Sequence, residues 1–186
     1  MVERVQSNLR IFVLEGLPGA GKTSILKNLS QEVFIIDEIL NPMIVSEVSY
    51  LENDFRKLDR AKQSGGVALI DRCYPATLAH NYARFYLDGS SDYYELLSKL
   101  CQYKLSGAVA PDAYIYIQIN PETSLRRKGR PFNPNNIWTS PEHLRIMSKY
   151  YEYYFKLIEP NIPCFIVNGN LSELEIINKV KSLILA

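Results

Sequence analysis

The stretch GLPGAGKTS, Gly16 to Ser24, limits what this chain can fold into more than any other feature. It matches GxxxxGK[ST] in full, between the β-branched and aromatic run RIFVLE at 10–15 and a helical pattern that opens at Lys22. Such a loop needs a strand to deliver it and a helix to carry it away. Its glycines let backbone N–H groups turn inward around phosphate oxygens, and the helix N-terminus adds a partial positive charge. Gly16, Pro18, Gly19, Ala20, Gly21, Lys22, Thr23 and Ser24 are therefore expected to cradle the phosphates of a nucleoside triphosphate. Lys22 should reach the terminal phosphates, and the Thr23 hydroxyl should hold Mg²⁺.

Further apolar runs follow at regular distances: VFIID at 33–37, VALID at 67–71, AYIYIQI at 113–119 and CFIVN at 164–168. They are continuous rather than alternating, as strands covered on both faces are, which predicts a parallel sheet between helices. Helical spacing recurs between them. Leu51, Phe55, Leu58 and Ala61 precede Gly65-Gly66, and Tyr94, Leu97, Cys101 and Lys104-Leu105 outline a second helix. Ser172 and Glu175 have the form of a capping box ahead of IINKVKSLIL. Strands alternating with helices predict an α/β doubly wound domain. With 186 residues the chain has the length of one domain, spanning 1–186. A net charge of +1 provides no general attraction to nucleic acid or anionic membrane, so any basic site must be local. Cys73, Cys101 and Cys164 are odd in number and widely spaced, which reads as reduced thiols in a cytoplasmic protein. No run approaches the roughly 20 apolar residues of a membrane span, and the N-terminus lacks the apolar core of a signal peptide.

VFIIDE at 33–38 imitates the strand of motor-type ATPases that ends on Asp-Glu, but Val33 follows Thr23 by only ten positions. That leaves room for one short helix, so the later run VALID carries the better Mg²⁺ acid, Asp71. NKxD and DxxG, the marks of GTPases, are missing from the chain.

Asp71, Arg72 and Cys73, then Ala76 and Ala79-His80-Asn81, fall in register with a DRYxxSxxAYQ pattern. Pro111-Asp112, Pro121-Glu122 and Arg127 follow in the order PD, apolar strand, PExxxxR. Together with the phosphate loop, this ordered set resembles the thymidylate kinase and deoxynucleoside kinase branch of the P-loop nucleotide kinases. The resemblance covers most of the chain, although only the phosphate loop is a strong motif by itself. It implies a three-layer fold with a five-stranded parallel sheet in the order 2-3-1-4-5 and a mobile lid at about 126–141. It also implies ATP and Mg²⁺ as cofactors, with Thr23 and Asp71 as metal ligands. Arg72 would face the transferring phosphoryl group. Arg126, Arg127 and Arg130 are the lid candidates, Arg127 alone lying on the PExxxxR position; a solvated helix end would suit each of them as well. Glu38 corresponds to the Glu that takes the proton from the sugar hydroxyl in deoxynucleoside kinases, though the usual following proline is Ile39 here. An acid terminating a strand is the alternative, with Asp37 as the neighbouring candidate base.

The acceptor is less defined, because Cys73, Ala76 and Asn81 replace the tyrosine, serine and glutamine of the pattern. Asn81 still offers two hydrogen bonds to a base edge. Tyr74, Tyr82, Phe85 and Tyr86 read either as core or as stacking surfaces, His80 and His143 as lone polar residues, and Trp138 as a lid anchor or a plug. Asn168 to Asn170 lie where the family cradles the donor base, and an ordinary turn fits them equally. The expected activity is transfer of the ATP γ-phosphate to a small-molecule acceptor, a nucleoside or nucleoside monophosphate. A kinase of another hydroxylated metabolite and a non-catalytic nucleotide-binding module are the alternatives. The resemblance further implies a homodimer, with the helix at Leu51 to Ala61 as its candidate surface.

Overall fold

The computed structural model describes residues 9–40, 46–129, 133 and 136–185. Its five strands are β1 (Arg10–Glu15), β2 (Phe34–Ile36), β3 (Val67–Asp71), β4 (Ala113–Gln118) and β5 (Cys164–Asn168). All pair in parallel, in the order β2-β3-β1-β4-β5. In the three central strands the continuous apolar runs have the expected cause, Val13, Leu14, Leu69, Ile70, Ile115 and Ile117 being fully buried between helical layers, whereas the edge strands β2 and β5 leave Phe34, Phe165 and Ile166 exposed. The run at 33–37 yields only three strand residues, because β2 is an edge strand and Asp37 already lies beyond its last ladder pair at Ile36.

The helices are α1 (Lys22–Leu29), α2 (Glu47–Lys62), α3 (Tyr74–Asp88), α4 (Tyr93–Leu105), α5 (Pro121–Lys128), α6 (Pro141–Tyr153) and α7 (Glu173–Ile184). Helices α1 and α7 pack together on one side of the sheet, while α2, α3, α4 and α6 form the other layer. Ser46 caps α2 through Ser49 N–H, and Ser172 with Glu175 completes the capping box of α7. The expected lid lies partly outside the described residues. Its ends are framed by α5 and by a short 3₁₀ turn, Ile137–Thr139, whose Thr139 hydroxyl bonds the Asn133 backbone.

Two sequence expectations change here. The stripe Leu51, Phe55, Leu58 and Ala61 is buried in the domain's own core, so it is not open for pairing two copies. Helix α4 turns Tyr93, Leu96 and Leu100 inward, one position from the face expected, leaving Tyr94 and Cys101 exposed. The expected stripe rested on polarity alone, whereas Tyr93 finds a hydroxyl partner at Tyr150 Oη, 3.0 Å away, and is buried with it.

Candidate active site

The site begins where β1 ends. Gly16 has φ +144°, and a Cβ there would lie 2.6 Å from the Ile117 carbonyl oxygen, so the loop passes β4 at a distance only glycine permits. Gly21, at φ +96°, is the left-handed N-cap from which α1 starts. Buried Lys22 lies back along this loop, its Nζ donating to the Gly16 carbonyl at 2.8 Å and the Leu17 carbonyl at 3.3 Å. Burial, with Arg72 nearby, pushes the Lys22 pKa down to about 7, while Asp71 and Glu15 pull it the other way.

Strand β3 lies beside β1 with Asp71 opposite Leu14, which brings its carboxyl end to the phosphate loop. One cavity of about 260 Å³ is lined by Pro18 to Ser24, Glu38, Asp71, Arg72, Arg127 and Lys128. Asp71 Oδ1 is buried without a hydrogen-bond partner, and burial raises its pKa against the pull of Lys22. A bare carboxylate oxygen sharing a cavity with the Thr23 hydroxyl suits an oxygen-seeking divalent cation, so the residues present fit Mg²⁺.

Arg72 is the only described residue other than glycine with positive φ, at 57°. Its N–H continues the ladder to the Leu14 carbonyl at 3.0 Å, after which the chain turns so that Cys73 N–H reaches Glu15 Oε1 at 2.8 Å. Glu15 is fully buried, and its other oxygen accepts the Tyr151 hydroxyl from α6 at 3.2 Å. Burial pushes its pKa up to about 7, with Arg72 and the Cys73 N–H opposing. The turn is also held from above. Lys57, in α2, donates to the carbonyls of Glu38 at 3.1 Å, Asp71 at 3.3 Å and Arg72 at 2.9 Å, and pairs with Asp54 at 2.8 Å. One buried ammonium thus ties the carboxyl ends of β2 and β3 together. Burial works against its charge, and the Asp54 carboxylate together with Cys73 and Glu15 outweighs it, so the Lys57 pKa stands above its ordinary value.

Arg72 Nε lies 3.2 Å from Glu38 Oε1. Both line a second cavity of about 280 Å³, walled by Ile39, Glu47, Tyr50, Asp54, Lys57, Cys73, Ala76, Thr77, His80 and Trp138. A groove past Pro18, Leu125, Lys128 and Trp138 also touches both residues. Glu38 and Arg72 therefore stand where the cavity of the glycine-rich loop meets a second one, of a size that could take a small molecule.

Most of the sequence candidates gather here. Arg127 lines the cradle, with Nη1 3.5 Å from the Gly19 carbonyl, whereas Arg126 lies against Thr123 in its own helix and does not line it. Arg130 lies outside the described residues. Asn81 is fully buried and spends its amide on Glu47, the Thr77 carbonyl and Ser91, so it does not reach a base edge. Asn168 to Asn170 form a turn, while Leu171, Glu173 and Ile176 line the cavity beside the phosphate loop. Tyr74 is core, and Tyr86 faces outward. The histidines are not alone: His80 Nδ1 is 3.1 Å from His143 Nε2, and His80 stacks on Trp138 with ring centroids 4.5 Å apart. Pro111-Asp112 is structural, Asp112 Oδ2 accepting the Ile11 N–H at 2.6 Å.

Glu15, the Asp54–Lys57 pair and Lys128 were missed. Asp54 and Lys57 left a signal, since they sit on the same helical stripe as Leu51, Leu58 and Ala61, where an unpaired charge does not belong.

The fold is that of the P-loop kinases, a parallel sheet in the order 2-3-1-4-5 between helices, and it brings together a glycine-rich loop, an acid on the neighbouring strand and a second pocket across an arginine. Among solved structures, the chain is similar to deoxyadenosine kinase from M. mycoides with bound dATP. The TM-score is 0.74 at 18% identity, covering 95% of this chain and 100% of that one. The same kinase with the products dCMP and dCDP gives 0.72 at 19%, and with dCTP 0.64 at 20%, each covering 92% of this chain and 97% of the other. No family model matches the chain, and neither does any curated protein sequence.

Proposed function

We propose that the protein is a deoxynucleoside kinase-like phosphotransferase that moves the γ-phosphate of ATP to a hydroxyl of a nucleoside. The observation that carries this reading is that Glu38 and Arg72 line both the phosphate cradle and the adjoining pocket. In the reaction, the nucleoside hydroxyl oxygen forms a bond to the γ-phosphorus while the bond from that phosphorus to the β,γ-bridging oxygen breaks. Glu38 takes the hydroxyl proton, the role of a carboxylate beside a neutral acceptor. Lys22, Arg72 and Arg127 balance the charge spreading over the transferring group, the main service a protein renders in phosphoryl transfer. Thr23 and Asp71 would hold Mg²⁺, which when bound supplies further positive charge beside the phosphates. Lys128 and Trp138 line a groove onto Glu38 and Arg72, and covering it during turnover would exclude water so that hydrolysis does not compete.

The pocket's charge favours a nucleoside over a nucleoside monophosphate. Each carboxylate of its lining already has a cation, Arg72 for Glu38, Arg84 for Glu47 and Lys57 for Asp54, and Lys57 also serves three carbonyls. An acceptor phosphate would have to draw Lys57 or Arg72 away from a carboxylate, whereas a neutral nucleoside would not. The neighbouring structures, whose ligands are dATP, dCTP and dCMP, support deoxynucleosides as the class. A pocket of about 280 Å³ suits such a small molecule rather than a nucleic acid polymer. The reading includes residence in the cytoplasm, which the free thiols Cys73, Cys101 and Cys164 support. Homodimerisation through the α2 stripe is not part of it, since that stripe is used by the core.

The test is a phosphate-transfer assay over the four deoxynucleosides, their 5′-monophosphates and unrelated alcohols, with ATP and Mg²⁺. Turnover confined to deoxynucleosides is expected; turnover on monophosphates or alcohols alone would overturn the assignment.

A further inference from the structure

The nucleoside pocket carries one polar contact whose direction is set from outside it. His80 in α3 and His143 in α6 share a single hydrogen bond, Nδ1 of the first to Nε2 of the second, at 3.1 Å. His143 is fully buried, and its other nitrogen, Nδ1, is buried without a partner. An orphaned buried N–H costs more than an orphaned lone pair, and orphaned N–H groups are the rarer of the two. The proton of His143 therefore sits on Nε2, where it is donated to His80 Nδ1. His80 Nδ1 must then be the acceptor, so its own proton sits on Nε2. That nitrogen takes no partner among the described residues and is not among the buried orphans, and His80 lines the pocket. Trp138 fixes the ring plane, stacked on His80 within 11° and meeting His143 edge to face at 5.5 Å. Burial, with Arg84 and Arg72 behind it, pushes the His80 pKa down to about 4, and burial with His80 does the same for His143, so both rings are neutral at pH 7.

We propose that His80 presents its Nε2–H to the pocket as a fixed donor that reads an acceptor atom, a ring nitrogen or carbonyl, of the bound nucleobase. His143 is a positioning residue that sets the tautomer. The proposal rests on the nucleoside reading above, and it names the residue that selects the base where the pattern's glutamine is lost at Asn81.

The chain has two histidines and one tryptophan, so both rings and the stack can be followed without ambiguity. Long-range ¹H–¹⁵N NMR of histidine-labelled protein at pH 7.5 reads which nitrogen of each ring holds the proton. Nε2–H is expected in both; Nδ1–H in either overturns the proposal, whatever the enzyme's activity. Affinity is read next, by titration calorimetry with 2′-deoxyadenosine and 2′-deoxycytidine, so that a protein which binds nucleosides without phosphorylating them fails the proposed reaction and not this arm. His80→Phe, which keeps a ring against Trp138 and loses the donor, should weaken the tighter nucleoside at least fivefold. His80→Gln and His143→Gln, which restore an N–H at the same place, should stay within twofold. A smaller loss in His80→Phe, with Trp138 fluorescence unchanged, overturns the proposal, as does binding of neither nucleoside by the wild-type protein.

Discussion

Replacing Arg72 by glycine should separate stability from turnover at one residue. At φ 57° the arginine occupies the left-handed region, which costs a residue with a side chain about 1–2 kcal/mol. The backbone is held there by the Arg72 N–H to Leu14, the Arg72 carbonyl to Lys57 and the Cys73 N–H to Glu15, and all three bonds survive the change. Glycine relieves the strain but adds about 0.5–1 kcal/mol of chain entropy. The lost partner, Glu38, is 54% exposed and resolvates, so breaking the pair costs under about 1 kcal/mol. These terms nearly cancel, and Arg72→Gly should unfold within about 1.5 kcal/mol of the wild type. Turnover should behave differently. An arginine on a transferring phosphoryl group contributes on the order of 10³–10⁵ in rate, about 4–7 kcal/mol of barrier. Urea unfolding paired with single-turnover kinetics measures both quantities. A variant that retains more than a tenth of the rate, or loses more than about 3 kcal/mol of stability, would refute the reasoning.

Triphosphate binding at pH 8 should take up close to one proton, because Lys22, with a pKa of about 7, is recharged by phosphate. Calorimetry in buffers of different ionisation enthalpy measures the uptake, and its persistence in Lys22→Met would remove this explanation. Glu15, raised from 4.5 to about 7, holds its proton more tightly in the folded state. Its stabilising contribution is complete below pH 4.5 and is lost as pH rises through 7, a change on the order of 3 kcal/mol. Glu15→Gln should flatten that part of the stability profile, and an unchanged slope between pH 5 and 7 would count against it. Lys57→Met strips buried Asp54 of its counter-cation, leaving it the Thr77 hydroxyl, removes one donor from each of three carbonyls, and should cost about 3–5 kcal/mol. Removing Asp54 as well, in Asp54→Leu/Lys57→Met, should recover part of the loss in chemical denaturation; an additive double variant would show that the two charges do not depend on each other.

The central strands were legible because a sheet covered on both faces writes continuous apolar runs, and β1 and β3 have the bounds read from RIFVLE and VALID; β5 has the bounds of CFIVN too, although as an edge strand it leaves Phe165 and Ile166 exposed. The phosphate loop was legible because its backbone needs glycine at fixed positions, as Gly16 and Gly21 show. Contacts made by buried polar atoms were hidden. That His80 meets His143, 63 positions along the chain, follows from how α3 packs on α6, and no local pattern records it. Glu15 looked like the polar end of a strand, yet it is fully buried because Cys73 N–H and the Tyr151 hydroxyl satisfy it there. Asn81 failed as a base reader for the same reason: helix register placed it correctly, but Glu47 and Ser91 claim its amide.

In the proposed reaction a phosphoryl group crosses from the cradle to a neutral hydroxyl between Glu38 and Arg72. A crystal structure of the protein with Mg²⁺, a non-hydrolysable ATP analogue and a deoxynucleoside measures this directly. The predicted result is a nucleoside hydroxyl within hydrogen-bond distance of Glu38, facing the γ-phosphorus, with Asp71 and Thr23 at the metal. A nucleoside seated elsewhere, or an analogue whose γ-phosphate points away from Arg72, would contradict it.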